Sequence, residues 1–158
     1  MTETQRQARN AQRLKECFPS FATKLRAVIK ALEKAGFRPR IQDGWRSPQK
    51  QLEAFNSGHS KLKFGYHNVT AADGTAEALA VDLLDDAKPL NPTSVYLLTL
   101  AAAAEAQGLQ TGVRWGLPVN LRNGIDVAIA ARDFDAPVKI GWDPCHVETT
   151  GVTVAEPR

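Results

Sequence analysis

The sequence has little sulfur and no long apolar run. Only two of its 158 residues are cysteine, Cys17 and Cys145, and only one is methionine. Two cysteines so far apart outline no disulfide framework, so an apolar core has to carry the fold. No stretch approaches the about 18 consecutive apolar residues that span a bilayer, and the least polar segment, 95–106, is interrupted by Tyr96, Thr99 and Glu105. Membrane insertion is therefore not expected. The opening MTETQRQARNAQRLKE contains no apolar h-region, so synthesis in the cytoplasm without a signal peptide is expected. Internal repeats, low-complexity tracts and obvious linkers are also missing, which points to one domain over 1–158.

What is present suits a globular chain: 43% hydrophobic and 23% charged residues. A chain of this length buries about 68–70% of its unfolded surface, enough for a core without staples. The net charge of +3 and the pI of about 9.0 permit an anionic partner but select none. The cations are scattered and no nucleic-acid-binding motif occurs, so nucleic acid is not an expected partner.

The residue pattern predicts a polar helix over 3–17 with few apolar anchors, Leu14 among them. Phe21, Leu25, Val28, Ile29 and Leu32 recur at helical spacing, and Gly36 follows as a stop. FRPRIQ at 37–42 alternates as a strand, its Pro39 suiting an edge or a start. Ser47-Pro48 is a helix start, N-cap then first helical residue, for a helix to about Ser57 that buries Leu52 and Phe55. An irregular or hairpin stretch covers 60–77, and LAVDLL at 79–84 is a strand. Asn91-Pro92 opens a helix to about Gln107, a further helix is expected over 118–132, and 138–141 and 145–154 read as the last strands. Strands and helices mix without a βαβ rhythm, which makes the fold class α+β: a small antiparallel sheet flanked by helices.

Chemistry concentrates in three places. In Trp142-Asp143-Pro144-Cys145-His146-Val147-Glu148 a histidine has a carboxylate three residues before it and another two after. Asp82 interrupts the apolar LAVDLL, where an unpaired charge is costly to bury; it needs an arginine, a backbone cap, a metal or an edge position. His67 precedes Asp82 by fifteen residues, but Asp73-Gly74 between them is a hairpin turn signal. A turn there puts His67 opposite about Ala80 and brings its imidazole near Asp82, two residues further along the same face. Two histidines and an aspartate are a standard three-ligand set for catalytic zinc, with the fourth position left to water. Asp143 is placed to act as base without ligating, and Glu148 is the reserve. Cys145 points to the opposite strand face and is no ligand, and His59 is an exposed loop residue. Arg46, just ahead of the Ser47-Pro48 helix start, either grips a substrate carboxylate through two parallel hydrogen bonds or stacks on Trp45 or pairs at the surface.

The order Arg46-Ser47-x-x-x-Gln51, Ser60-Lys-Leu-Lys-Phe-Gly-Tyr-His67, Ala78-x-Ala80-x-Asp82-Leu83 and Trp142-Asp143-x-x-His146-Val147-Glu148 resembles the zinc peptidases of the VanY/D-alanyl-D-alanine carboxypeptidase group. That group includes phage endolysins that are L-alanyl-D-glutamate peptidases, and the resemblance spans about 40–150. It implies zinc bound by His67, Asp82 and His146, Asp143 as general base, and Arg46 on a carboxylate of a peptidoglycan stem peptide. It also implies a small α+β domain with an antiparallel sheet, shared with the signalling domain of Hedgehog. The group's pattern keeps its first His and Asp seven residues apart, so an insertion around Asp73-Gly74 is expected. A second insertion is expected between Trp115-Gly116 and Trp142.

The activity this implies is zinc-assisted hydrolysis of an amide bond in the stem peptide, by a monomer made in the cytoplasm and acting at the cell wall after release. A D,D- or L,D-carboxypeptidase is the alternative within the same chemistry. A non-catalytic, zinc-stabilised cell-wall binding domain is the alternative from another class.

Overall fold

The computed structural model of the chain describes residues 1–60 and 65–151. It has five α-helices and a four-stranded antiparallel sheet among these residues: α1 Glu3–Leu14, α2 Pro19–Lys34, β1 Pro39–Asp43, α3 Pro48–Asn56, β2 Ala80–Asp85, α4 Ser94–Ala106, β3 Gln110–Gly112, α5 Val119–Ala130 and β4 Asp143–Glu148. The strand order is β1-β2-β4-β3. This is the α+β class expected from the residue pattern.

Local signals explain most boundaries. Thr2 and Gln5 form a capping box at α1, Ser47 Oγ accepts from the Lys50 amide at α3, and Thr93 Oγ1 accepts from the Tyr96 amide at α4. Helix α2 starts with Pro19 at its first position, and Gly36, at φ 93°, reverses the chain after it. The apolar stripe of α2 (Phe21, Leu25, Val28, Leu32) and the buried side of α4 (Tyr96, Leu97, Leu100, Ala104) meet Ile41, Val81, Leu83 and Val147 from the sheet. Tyr96 buries its ring completely and donates its hydroxyl to the Leu83 carbonyl at 2.7 Å. A smaller cluster of Leu98, Ala101, Val113 and Ile125 joins the far side of α4 to α5. The sheet thus has one face sealed by helices and one face free to carry polar groups.

The polar character of α1 has a structural reason. The helix lies along the outer edge of β1 and supplies the hydrogen bonds that a neighbouring strand would. Arg6 and Asn10 donate to the Pro39 carbonyl, the Ile41 amide donates to Asn10 Oδ1 at 2.9 Å, and Arg9 donates to the carbonyls of Ile41 and Gln42. An exposed strand edge invites association, and these side chains close it. Arg6 is fully buried and is balanced by Glu3 and Glu33 at 2.9 and 2.7 Å.

Four expectations are corrected. The helix over 3–17 ends at Leu14, and Cys17 instead bridges Ala78. In α3 Leu52 is exposed and Phe55 only half-buried; the helix buries Gln51, because it sits on a polar cavity wall and not on the core. Residues 138–141 form no strand. Val138 and Ile140 pack on the smaller cluster, and Gly141 donates its amide to the Val113 carbonyl outside any ladder. The last strand starts at Asp143 and ends at Glu148, and the expected continuation over 152–154 lies outside the described residues. Strand β3, only three residues long, has no signal in the residue pattern.

Asn10 tests the edge-sealing role of α1. Asn10→Ala leaves the buried Ile41 amide without its acceptor, and the expected loss is about 1–3 kcal/mol of stability. Gln7→Ala, at an exposed position of the same helix, is expected to stay within about 0.5 kcal/mol of the parent. Urea unfolding of the two variants measures the difference.

Candidate metal centre

The polar face of the sheet forms the floor of a cavity of about 610 Å³. Strand β2 alternates: Val81 and Leu83 enter the core, and Asp82 points the other way. Strand β4 alternates likewise, with Val147 in the core, Cys145 packed against it, and His146 and Glu148 on the cavity side. Antiparallel pairing sets Asp82 directly across from His146. Partners so placed have side chains about 4.5–5.5 Å apart at Cβ, and His146 Nδ1 lies 3.5 Å from Asp82 Oδ1.

His67 arrives from a loop. The turn at Asp73-Gly74 forms, with Gly74 at φ 89° and Thr70 bridging Ala76. The pairing is offset from the expected one. The Leu79 amide donates to the Tyr66 carbonyl, and Ala80 does not face His67. His67 itself lies in a one-turn 3-10 helix, Tyr66–Asn68, and not on a strand. Side-chain bonds hold that turn in place. Asn68 is buried, its Oδ1 accepts from the Gly65 amide, and its Nδ2 donates to the Arg46 carbonyl at 2.9 Å. The Arg46 amide in turn donates to the His67 carbonyl. His67 Nδ1 faces the Gly44 carbonyl at 2.9 Å, which leaves Nε2 toward Asp82 Oδ2 at 4.0 Å.

The ligand atoms of His67, Asp82 and His146 all lie within 4.8 Å of one another, and the group is able to hold a metal ion. The donor set suits a borderline-soft divalent ion: two imidazole nitrogens and one carboxylate. Two donors on one tetrahedral zinc, each at about 2.1 Å, stand about 3.4 Å apart. The 3.5 Å from His146 Nδ1 to Asp82 Oδ1 is close to that spacing, and the 4.0 Å from His67 Nε2 to the other oxygen, Oδ2, is longer. Cys145 takes no part: it faces the core, and burial pushes its thiol up to about 12.

Two further carboxylates border the group. Asp143 Oδ2 lies 4.0 Å from His146 Nδ1, on the same side of the ring as Asp82. Burial raises its pKa from the usual aspartate value, and the nearby Asp82 charge adds to the effect. Glu148 Oε1 lies 2.7 Å from the other ring nitrogen, His146 Nε2. Burial pushes the Glu148 carboxyl up, but hydrogen bonds from His146 and Gln110 outweigh it and hold the pKa below the usual value. Trp115 packs on the His146 ring with centroids 5.1 Å apart and on the exposed Trp142 at 5.4 Å.

Arg46 lines the same cavity. Its guanidinium donates to Gln51 Oε1 at 3.0 Å and pairs with Asp43 at 3.2 Å. His59 is exposed and outside the cavity wall, beside Ser57 Oγ at 2.8 Å. The Gly44 carbonyl and the Asn68 amide that support His67 left no trace in the residue pattern, since one is backbone and the other an ordinary loop asparagine.

With no metal ion in the site, burial opposes a charged His146 ring, but the Asp82 and Glu148 carboxylates outweigh it and raise its pKa from 6.5 to about 9. A raised folded-state value stabilises the fold fully below pH 6.5, and the contribution is lost as pH climbs through about 9. Chelator-treated protein is therefore expected to lose thermal stability across that interval, and His146→Gln to lose this part of the pH dependence. Thermal melts at stepped pH measure it.

No family model matches the chain, and no curated protein matches it in sequence. The fold is similar to that of the L-Ala D-Glu endopeptidase ChiX of Serratia marcescens, known from a crystal structure. The TM-score is 0.56 at 18% sequence identity, over 90% of this chain and 87% of that one. At that identity the likeness is one of fold.

Proposed function

We propose that the protein is a zinc-dependent peptidoglycan peptidase that cleaves the L-alanyl-D-glutamate bond of cell-wall stem peptides, the whole chain forming one catalytic domain. The observation that carries the proposal is the Asp143 carboxylate beside the His67/Asp82/His146 group, in a cavity with Arg46 on its wall. The fold shared with an L-Ala D-Glu endopeptidase supports it, as does the resemblance of the four motifs to the VanY-type zinc peptidases.

His67, Asp82 and His146 would hold the ion. Bound zinc supplies Lewis-acid polarisation of the scissile carbonyl and makes water acidic enough to lose a proton near neutral pH. Asp143 is the proton carrier: its raised pKa is suited to accepting a proton from water and returning it to the leaving amine. Arg46 anchors a substrate carboxylate, and its pairing with Asp43 and Gln51 keeps the guanidinium oriented before the substrate arrives. Trp115 and Trp142 wall one side of the cavity. A protein acting this way works as a monomer at the cell wall after release from the cytoplasm, and its positive charge aids approach to an anionic envelope in a salt-sensitive manner.

Digestion of purified peptidoglycan, read by mass spectrometry of the released peptides, tests the proposal. Wild type is expected to release fragments with a new D-glutamate amino terminus. Chelation should abolish release and zinc restore it. Asp143→Asn should bind zinc normally and lose about 10²–10⁴-fold in rate. Loss of a terminal D-alanine only would assign a carboxypeptidase. Zinc binding without release of any fragment would make the domain a binding module.

A further inference from the structure

Glu148 is not consumed by the proton transfer assigned to Asp143, and its surroundings give it another task. It follows His146 by two residues on β4, so both side chains emerge on the cavity face. Its two oxygens have separate partners: Oε1 meets His146 Nε2 at 2.7 Å, and Oε2 accepts from Gln110 Nε2 at 2.9 Å. Gln110 stands directly across from Glu148 in the β3–β4 register. On the other side the cross-strand partner is Ala80, whose small side chain leaves room for the carboxylate. The Glu148 side chain is only 12% exposed, so the carboxylate is held and not free to swing toward Asp82.

This clamp decides which atom of the ring a bound metal would meet. The tilted contact with Trp115, 43° between ring planes, confines the His146 ring but does not distinguish its two flipped orientations. A carboxylate accepts hydrogen bonds and donates none, so the nitrogen facing Glu148 must carry the hydrogen. In the neutral ring that a metal ligand must be, the lone pair is then on Nδ1, the atom that faces Asp82 at 3.5 Å. His67 is the mirror case: its Nδ1 faces the Gly44 carbonyl, and Nε2 faces Asp82. The two histidines therefore present different nitrogens, one supported by a neutral carbonyl and the other by a charged carboxylate.

We propose that Glu148, braced by Gln110, is a positioning residue that fixes His146 with Nδ1 as its metal-facing donor and strengthens that donor. The proposal rests on the reading of His67, Asp82 and His146 as a metal centre. It also excludes Glu148 as the reserve base, because its carboxylate sits on the ring nitrogen remote from Asp82, whereas Asp143 shares the Nδ1 side.

Zinc affinity, measured by competition with a chromophoric chelator on chelator-stripped protein, tests this without reference to activity. Glu148→Ala is expected to weaken zinc binding about 10–100-fold. Glu148→Gln retains an acceptor oxygen without the charge and is expected to recover part of that loss. Gln110→Ala, at an exposed position that threatens no core packing, is expected to weaken binding in the same direction by less. The cobalt-substituted protein should show an altered visible spectrum in Glu148→Ala but not in Asp143→Asn. Should Glu148→Ala fail to fold, the Glu148→Gln and Gln110→Ala affinities carry the test. Wild-type affinity in the Glu148 variants overturns the positioning role, as does a Glu148→Gln variant that keeps affinity and loses hydrolysis like Asp143→Asn. If wild type itself takes up neither zinc nor cobalt, the metal-centre reading fails first, and that outcome is distinct from the other two.

Discussion

The register of β2 against β4 is the constraint on which the site depends. It sets Asp82 across from His146 and Glu148 across from Ala80. A slip of one residue would turn every side chain of a strand to the opposite face. The slip is prevented from the other side of the sheet, where Val81, Leu83 and Val147 are fully buried against α2 and α4. The apolar face thus locates the polar one. Packing energy that has nothing to do with catalysis determines where the acids and the imidazole stand.

Around that frame, the cavity concentrates charge in a manner that favours a cation. Asp82, Asp143 and Glu148 converge on one buried histidine. The consequences are visible in the groups themselves: Asp143 is raised by burial and by Asp82, and His146 is drawn toward its protonated form by its carboxylate neighbours. A divalent ion bound among them would take over the role of that proton, and its binding would then be coupled to folding. Arg46 does not neutralise the cluster, because Asp43 and Gln51 hold its guanidinium at the wall.

The rest of the chain supports these positions by spending side chains on backbone. Helix α1 seals the edge of β1 through Arg6, Arg9 and Asn10. Asn68 ties the His67 turn to the Arg46 loop, so the loop bearing a proposed ligand and the loop bearing the proposed substrate anchor move together. Such contacts explain why parts of the sequence were misleading when read by periodicity. The α3 pattern suggested a core helix burying Leu52, but its partner is a cavity wall, so Gln51 is the buried residue. The apolar residues at 138–141 resembled a strand, yet they serve the small cluster beside α5 without joining the ladder. β3 is too short to show alternation, although its pairing with β4 places Gln110 on Glu148.

The sequence by itself determined the α+β class, the main helices, the antiparallel strand carrying Asp82, and the turn at Asp73-Gly74, because these follow from caps, apolar periods and turn chemistry within a few residues of one another. It also displayed His67, Asp82, Asp143 and His146 as chemically unusual residues. Only the tertiary structure decided which ring nitrogen faces Asp82, that Glu148 holds the opposite nitrogen, and that a backbone carbonyl and a buried asparagine hold His67. Apart from the contact between His146 and Glu148, which lie on one strand, those outcomes depend on the relative placement of segments twenty or more residues apart. No local pattern encodes them, since a hydrogen bond across a cavity is specified by the packing that brings its two ends together.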